Sequence, residues 1–395
     1  MEQVDRPGTC GKCGYDLFDL LGARSVGRLD TVRRFRTHQH AYGLRAYRSW
    51  YVFWYMLFVR FESQKLSKST HGEPIITTLC PKVSYSAMHL YRYISHLKER
   101  GWKSRVVTVG AYDGVHLGHQ EILSQLEVQG KKIGVPTLVL SFEPIPREFF
   151  SPDKPAARLT RFRERYELLN SFGVDEFFCP QFASLRDLSP EEFIRDILLA
   201  GLNARHIVVG HDFRFAAERL GTLDNLKTAG INCGFGVTEV SAVYRENQRV
   251  SSTAIRNALK VGDLKTARAM LGREYSMSGR VVRGIGLGKR LGFPTANVNL
   301  NRRQAPVDGI FAARVTGLAE GPLEGVASIG TRPTVGGVEP LLEVFIFDFD
   351  RDIYGEYITV HFVERLREER KYSDLGKMTR QMHKDVADAR AVLAA

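Results

Sequence analysis

A chain of 395 residues with 44% hydrophobic content has room for two or three packed domains, and its cysteines (Cys10, Cys13, Cys80, Cys179 and Cys233) form no dense disulfide framework, which fits a reducing cytoplasm. A formal charge of +12 raises the question of nucleic acid. A disproportionate share of it lies in residues 1–87, however, so the rest of the chain suits a small anionic substrate and no nucleic-acid partner is expected.

Residues 1–87 read as an extension of unknown role. Cys10 and Cys13 have the spacing of half a zinc site, but Cys80 stands alone and His38 and His40 are only two apart, so no second half is found. The longest apolar run, Trp50–Val59, is about half of the ~20 residues that span a bilayer, so no membrane span is expected. Its flanking arginines, Arg45, Arg48 and Arg60, leave a surface-lying segment open beside a buried one. Met88 is expected as the functional start.

Residues 88–272 alternate strand and helix patterns. Val106–Val109 is β-branched and ends in Gly110, the pattern of a short buried strand and tight turn, and Ile122, Leu123 and Leu126 mark one face of a helix that follows. Between them lies VVTVGAYDGVHLGH, with His116 and His119 three apart near a helix start, where unpartnered N–H groups attract phosphate. Strands are predicted at Thr137–Phe142, Glu176–Phe178 and His206–Gly210. Helices are predicted at Arg161–Phe172 and Pro190–Ala200, the latter with Ser189 as N-cap and Glu192 completing the cap. Such alternation implies a parallel sheet with ligands at the carboxyl ends of its strands. A second anion-binding pattern, Ser251-Ser252-Thr253-Ala254-Ile255-Arg256, places hydroxyls and a guanidinium at another helix start.

Residues 273–395 differ in pattern. Short strands are predicted at Gly279–Arg283, Ile310–Val315, Gly325–Ile329, Leu341–Phe349 and Tyr357–Phe362, with one terminal helix at Met378–Leu393. They suggest a small closed antiparallel β-barrel. The glycine-rich stretch GIGLGKRLGFPTAN, residues 284–297, can wrap a polyphosphate through Gly288, Arg290, Gly292 and neighbouring groups. Thr295 and Asn297 offer two oxygen ligands suited to Mg²⁺.

Taken together, Gly110-x-x-Asp113-Gly-x-His116-x-Gly118-His119 and the later Ser252-Thr253-x-x-Arg256 resemble the HxGH nucleotidyltransferases, whose fold is Rossmann-like α/β. SFEPIPREFF (141–150) and VVGHDFRF (208–215) look like the flavin-nucleotide segments of prokaryotic FAD synthetases. By that resemblance Phe142, Asp212 and Arg256 contact FMN or ATP. From Gly279 to about Arg390 the chain resembles riboflavin kinase through GKRLGFPTAN, VASIGTRPTVGG, LEVFIFDF and the run Leu366–Tyr372. The resemblance implies Thr295 and Asn297 at Mg²⁺-ATP, Glu343 as the base for the riboflavin 5′-hydroxyl, and Arg367 closing over flavin and nucleotide.

The order of the two halves resembles the prokaryotic bifunctional riboflavin kinase/FAD synthetases. It implies riboflavin, FMN and ATP as substrates, FAD as a product, and an oligomeric state that the sequence leaves open. Departures from the family pattern are Tyr112 for Phe, Ala216 for Gly, Thr222 for an acidic residue, Ser328 for Asn and Tyr372 for Phe. The competing expectations are an HxGH transferase acting on another phosphorylated acceptor, or a flavin- or RNA-binding protein that has lost catalysis.

Overall fold

Val106–Val109 lies within the strand β2 at the middle of a six-stranded parallel sheet. The computed structural model describes residues 87–395 apart from 102, 154, 285, 335 and 336. The cysteine pair Cys10/Cys13 and the run Trp50–Val59 lie outside the described residues. The first elements are β1 (His89–Tyr91), α1 (Ile94–Glu99), β2 (Arg105–Val109), α2 (Leu117–Ile133), β3 (Thr137–Leu140), α3 (Pro146–Phe149), α4 (Phe162–Ser171) and β4 (Glu176–Phe178). Then come α5 (Pro190–Glu192), which runs into a π-helical stretch at Phe193–Leu199, β5 (Ala204–Gly210), α6 (Leu223–Cys233) and β6 (Gly236–Val240).

The strand order is β1-β4-β3-β2-β5-β6, all parallel. From β2 the chain steps outward to β3 and β4, then crosses back to place β5 on the other side of β2. A crevice therefore opens between the carboxyl ends of β2 and β5, where such sheets bind ligands. Val106 and Val107 are wholly buried, as a strand covered on both faces requires. Helix α2 starts earlier than its apolar spacing alone predicts, because His116 caps it, and it ends at left-handed Gly134. Ser189 and Glu192 form the expected capping box, although the following turns widen to π geometry. Two elements, α6 and β6, carry no strong sequence pattern. Strand β6 is an edge strand, largely half-exposed, with Glu239 facing solvent.

A two-stranded ribbon follows, β7 (Tyr244–Arg245) and β8 (Gln248–Arg249), then α7 (Ser252–Lys260) and α8 (Leu264–Leu271). The remaining elements are β9 (Tyr275–Val282), α9 (Leu287–Arg290), β10 (Thr295–Asn299), β11 (Gly309–Thr316), β12 (Leu323–Thr334), β13 (Gly337–Ile346), β14 (Tyr357–Arg367) and α10 (Leu375–Ala394). The six strands close into a barrel in the order β10-β13-β12-β11-β14-β9, every pair antiparallel. Its strands outrun most of the predicted segments. β14, for example, continues to Arg367 and so carries that side chain to a candidate site.

Alternation along the strands sends Val298, Leu342 and Val344 into the core, where Phe311 and Phe362 meet them. The apolar faces of α7 and α8, through Ile255, Leu259 and Met270, belong to this same cluster. On the barrel's outer face, Phe347 and Ala312 pack with Ala389 and Leu393 of α10. Arg302, in the β10–β11 connection, reaches back to Glu164 of α4 at 2.5 Å, and Ser278 of β9 donates to the same carboxylate.

Candidate active sites

The first site forms at the turn after β2. Asp113 is nearly fully buried and accepts from the backbone N–H groups of Leu159 (3.0 Å) and Thr160 (2.9 Å), while Arg256 of α7 donates to its other oxygen at 2.7 Å. The Ser252 hydroxyl donates to the Asp113 carbonyl at 2.8 Å. The two motifs read from sequence, 139 residues apart at that contact, therefore meet in space. Their mutual bonds bring the N-terminal turns of α2 and α7 together, and each such turn offers N–H groups to anions.

His116 is the N-cap of α2, and its Nδ1 accepts from the His119 N–H at 3.4 Å. A neutral ring used this way carries its proton on Nε2, leaving that N–H to donate. The two imidazoles stack at 3.7 Å between centroids. Burial, with the charges of Arg273 and Arg256 adding to it, pushes His116 down to about 4. Burial, reinforced by His116 and Arg273, holds His119 well below the usual histidine range. Both rings are therefore neutral donors at pH 7 in the unliganded protein. At Gly118 a Cβ would lie 3.3 Å from the His116 ring, close enough to press on this stack. At Gly110 a Cβ would press on the Tyr112 ring at 3.1 Å.

The departures from the family pattern fare differently. Tyr112 places its extra hydroxyl 2.7 Å from Thr108 Oγ1, so the added polar atom is satisfied, and its ring packs 4.9 Å from His119. Thr222 caps α6 in a box with Asn225, work an acidic residue would also do. Ala216 adopts φ +66° and ψ −173°, a backbone region suited to glycine, so the loop after β5 is strained where the substitution falls.

Phe142 lies two residues past β3 and meets Phe182 edge-on at 5.5 Å; Phe149 and Phe150 meet the same ring at 5.2 and 5.6 Å. Phe182 is a member of this aromatic wall that sequence reasoning missed, since it opens a single 3₁₀ turn (Phe182–Ser184) too short to leave a periodic pattern. Arg147 of α3 donates to the Thr253 hydroxyl at 3.4 Å, joining the aromatic segment to the start of α7. Asp212 follows β5 and pairs with Arg249 of the ribbon at 2.5 Å. Burial opposes its ionisation, but the hydrogen bond and charge of Arg249, together with smaller contributions from His211 and the backbone, outweigh it and lower the Asp212 pKa.

The second site lies on the outside of the barrel, not in its interior. Asn297 of β10 is the register partner of Glu343 on β13, which in turn faces Ser328 on β12. Directly paired residues share a sheet face, and Thr295 is two residues from Asn297 on that face. Their neighbours Ala296, Val298, Leu342 and Val344 fill the barrel core instead. A cavity of about 320 Å³ between this face and α10 is lined by Gly288, Thr295, Asn297, Glu343 and Arg367, with Met378 and Met382 from the helix. Arg367 grips buried Asp385 of α10 through two hydrogen bonds, 2.8 and 2.6 Å, which fastens the helix over the cavity.

The loop before β10 is tight. A Cβ at Gly288 would lie 2.4 Å from the Phe293 carbonyl, and one at Gly284 would lie 2.3 Å from the Asn297 amide nitrogen. Of the three loop residues expected at the nucleotide, Gly288 lines the cavity, whereas Arg290 and Gly292 are exposed and stand outside its lining.

A family model for FAD synthetase matches residues 98–254, and one for riboflavin kinase matches residues 271–393. The bifunctional riboflavin kinase/FMN adenylyltransferase of Escherichia coli (strain K12) is 42% identical over 304 residues, 77% of this chain and 97% of its own. The protein of that description from Pseudomonas fluorescens is 42% identical over 309 residues, 78% and 98% of the two chains. That from Haemophilus influenzae is 37% identical over 297 residues, 75% and 96%. A crystal structure described as a macrolide-efflux protein from Streptococcus pneumoniae matches with a TM-score of 0.66 at 30% identity, over 76% of this chain and 97% of its own. Among the described residues no helix is long and apolar enough to cross a membrane.

Proposed function

The chain belongs to the bifunctional riboflavin kinase/FMN adenylyltransferase family, and from that premise we propose how its two sites divide the work. Its activities are riboflavin plus ATP to FMN plus ADP, and FMN plus ATP to FAD plus pyrophosphate. Residues 88–272 carry the second reaction and 273–395 the first, with 1–87 as an extension.

At the transferase site a phosphate oxygen of FMN attacks the α-phosphorus of ATP, and the bond to pyrophosphate breaks. The nucleophile is already an anion, so no base is required. What the step needs is donors for the growing charge. His116 Nε2–H, His119, the first turns of α2 and α7, and Arg256 held by Asp113 supply them. Phe142 with Phe149 and Phe182 forms an apolar wall for the flavin ring, and Asp212 stands at the mouth of the crevice.

At the barrel site the nucleophile is a neutral primary alcohol. Glu343 takes its proton as the oxygen attacks the γ-phosphorus of ATP and ADP leaves. The observation that carries this assignment is the three-strand register that sets Asn297, Glu343 and Ser328 side by side under α10. A hydroxyl, an amide oxygen and a nearby carboxylate form a hard-oxygen donor set. Thr295 and Asn297 therefore fit Mg²⁺, which takes few protein ligands and the rest from phosphate and water. When bound, the ion would neutralise charge on the transferring phosphoryl group. Arg367 orients flavin and nucleotide through its hold on α10, and Gly288 lets the loop backbone approach the phosphates. Two unbridged thiols, Cys179 and Cys233, support a cytoplasmic location.

The test is product analysis. Purified protein given riboflavin, ATP and Mg²⁺ should form FMN and then FAD by chromatography, and chelation of the metal should stop both. No FAD from supplied FMN would refute the transferase assignment.

A further inference from the structure

The turn that presents His116 is held from the barrel side of the molecule. Tyr112, Gly114 and Val115 have φ of +50°, +87° and +39°; glycine takes such a φ freely, but Tyr112 and Val115 lie in left-handed backbone that surrounding contacts must maintain. Thr160 holds the N–H of Gly114 at 2.9 Å. The two carbonyls, by contrast, go to one guanidinium. Arg273 donates through Nη2 to Gly114 O at 2.6 Å and through Nη1 to Val115 O at 3.2 Å.

The same Nη1 reaches Leu271 O at 3.3 Å, and the Gln120 amide of α2 bridges Val115 O and Leu271 O at 2.9 and 2.8 Å. The end of α8 and the start of α2 are thus tied through one shared pair of carbonyls. Arg273 lies just past Gly272, the left-handed cap of α8. It falls inside the span that matches riboflavin kinase and outside the span that matches FAD synthetase.

Building on the assignment of adenylyl transfer to His116 and His119, we propose that Arg273 is a positioning residue for that reaction. By fixing the Gly114 and Val115 carbonyls it sets where the two imidazoles stand against the α-phosphate, while touching no reacting atom itself. The transferase site is therefore completed by a residue of the other catalytic region. Arg273 is also a buried cation beside both rings. Burial first, and then this charge together with Arg256 and Arg249, favours neutral His116, with Asp113 partly balancing Arg256.

The experiment compares full-length Arg273→Ala, Arg273→Lys and His119→Ala, with both reactions measured on each preparation. Arg273→Ala should lower kcat for FAD formation about 100-fold, since a small misplacement of reacting groups costs that much, with KM for FMN within about threefold. FMN formation from riboflavin should remain within about twofold of the parent. The acid limb of kcat/KM for FAD formation should move to higher pH, because with one cation fewer the imidazoles protonate more readily. Arg273→Lys keeps the charge but not the two-pronged donor. It should leave the acid limb in place and still lose about fivefold or more in kcat, which also decides the matter if Arg273→Ala does not fold. FAD formation within about twofold of the parent in both variants, while His119→Ala abolishes it, would overturn the proposal, as would equal loss of both reactions. FAD formation persisting in His119→Ala would bring down the histidine assignment itself.

Discussion

Two regions of one chain handle ATP by contrasting means, and the nucleophile explains the contrast. In the α/β region the candidate groups are imidazoles at the start of α2, neutral at pH 7, alongside helix N-termini and arginine. In the barrel they are a hydroxyl, an amide and a carboxylate on an outer sheet face, roofed by α10. A flavin phosphate attacks as the anion it already is, so its site needs donors. A flavin hydroxyl must lose a proton on the way, so its site needs an acceptor.

The largest expected effect breaks the chain into these halves. His119→Ala should lower FAD formation about a thousandfold and leave FMN formation within about twofold; Glu343→Gln should lower FMN formation from riboflavin about a thousandfold and leave FAD formation from supplied FMN within about twofold. A single substitution that abolished both in a folded protein would erase the contrast.

A smaller effect tests whether the halves are structurally separate. Arg302 and Glu164 are a buried pair joining the barrel to α4. Arg302→Met leaves the carboxylate without its cation and should cost about 3 kcal/mol in denaturant unfolding. A loss below about 1 kcal/mol would mean that the joint contributes little.

Of similar size is a pH effect confined to the histidine side. Folding lowers the His116 pKa from 6.5 to about 4, so the unfolded chain takes up the proton first as pH falls. His116 therefore contributes its full stability above about pH 6.5 and loses it as the pH falls through 4, about 3 kcal/mol in all. Thermal melts from pH 7 to 4 should show a shallower loss in His116→Gln. An unchanged slope would contradict the buried neutral imidazole.

Much of the architecture was legible because it is local. The β-branched run before Gly110, the Ser189–Glu192 cap and the alternating strands after Tyr275 all announce themselves within a few residues. Proximity of the HxGH turn to Ser252 and Arg256 came from resemblance, and the structure joins them through Asp113. Other features depend on tertiary context. Glu343 alternates with Leu342 and Val344, a pattern that reads equally well as a strand residue facing water; only α10, folded over that face, makes it a cavity wall. The neutral state of His116 and His119 follows from burial, which spacing does not report. Arg273 and Phe182 have no local signature at all, since their partners lie tens of residues away in sequence or more.

The central claim, two separable sites linked by FMN, is tested most directly by mixing. His119→Ala and Glu343→Gln proteins, each supplied with riboflavin, ATP and Mg²⁺, should separately make no FAD. Combined, they should make it, because one supplies FMN and the other adenylylates it. Failure of the mixture, with each variant retaining its own half-reaction on supplied substrate, would contradict the account.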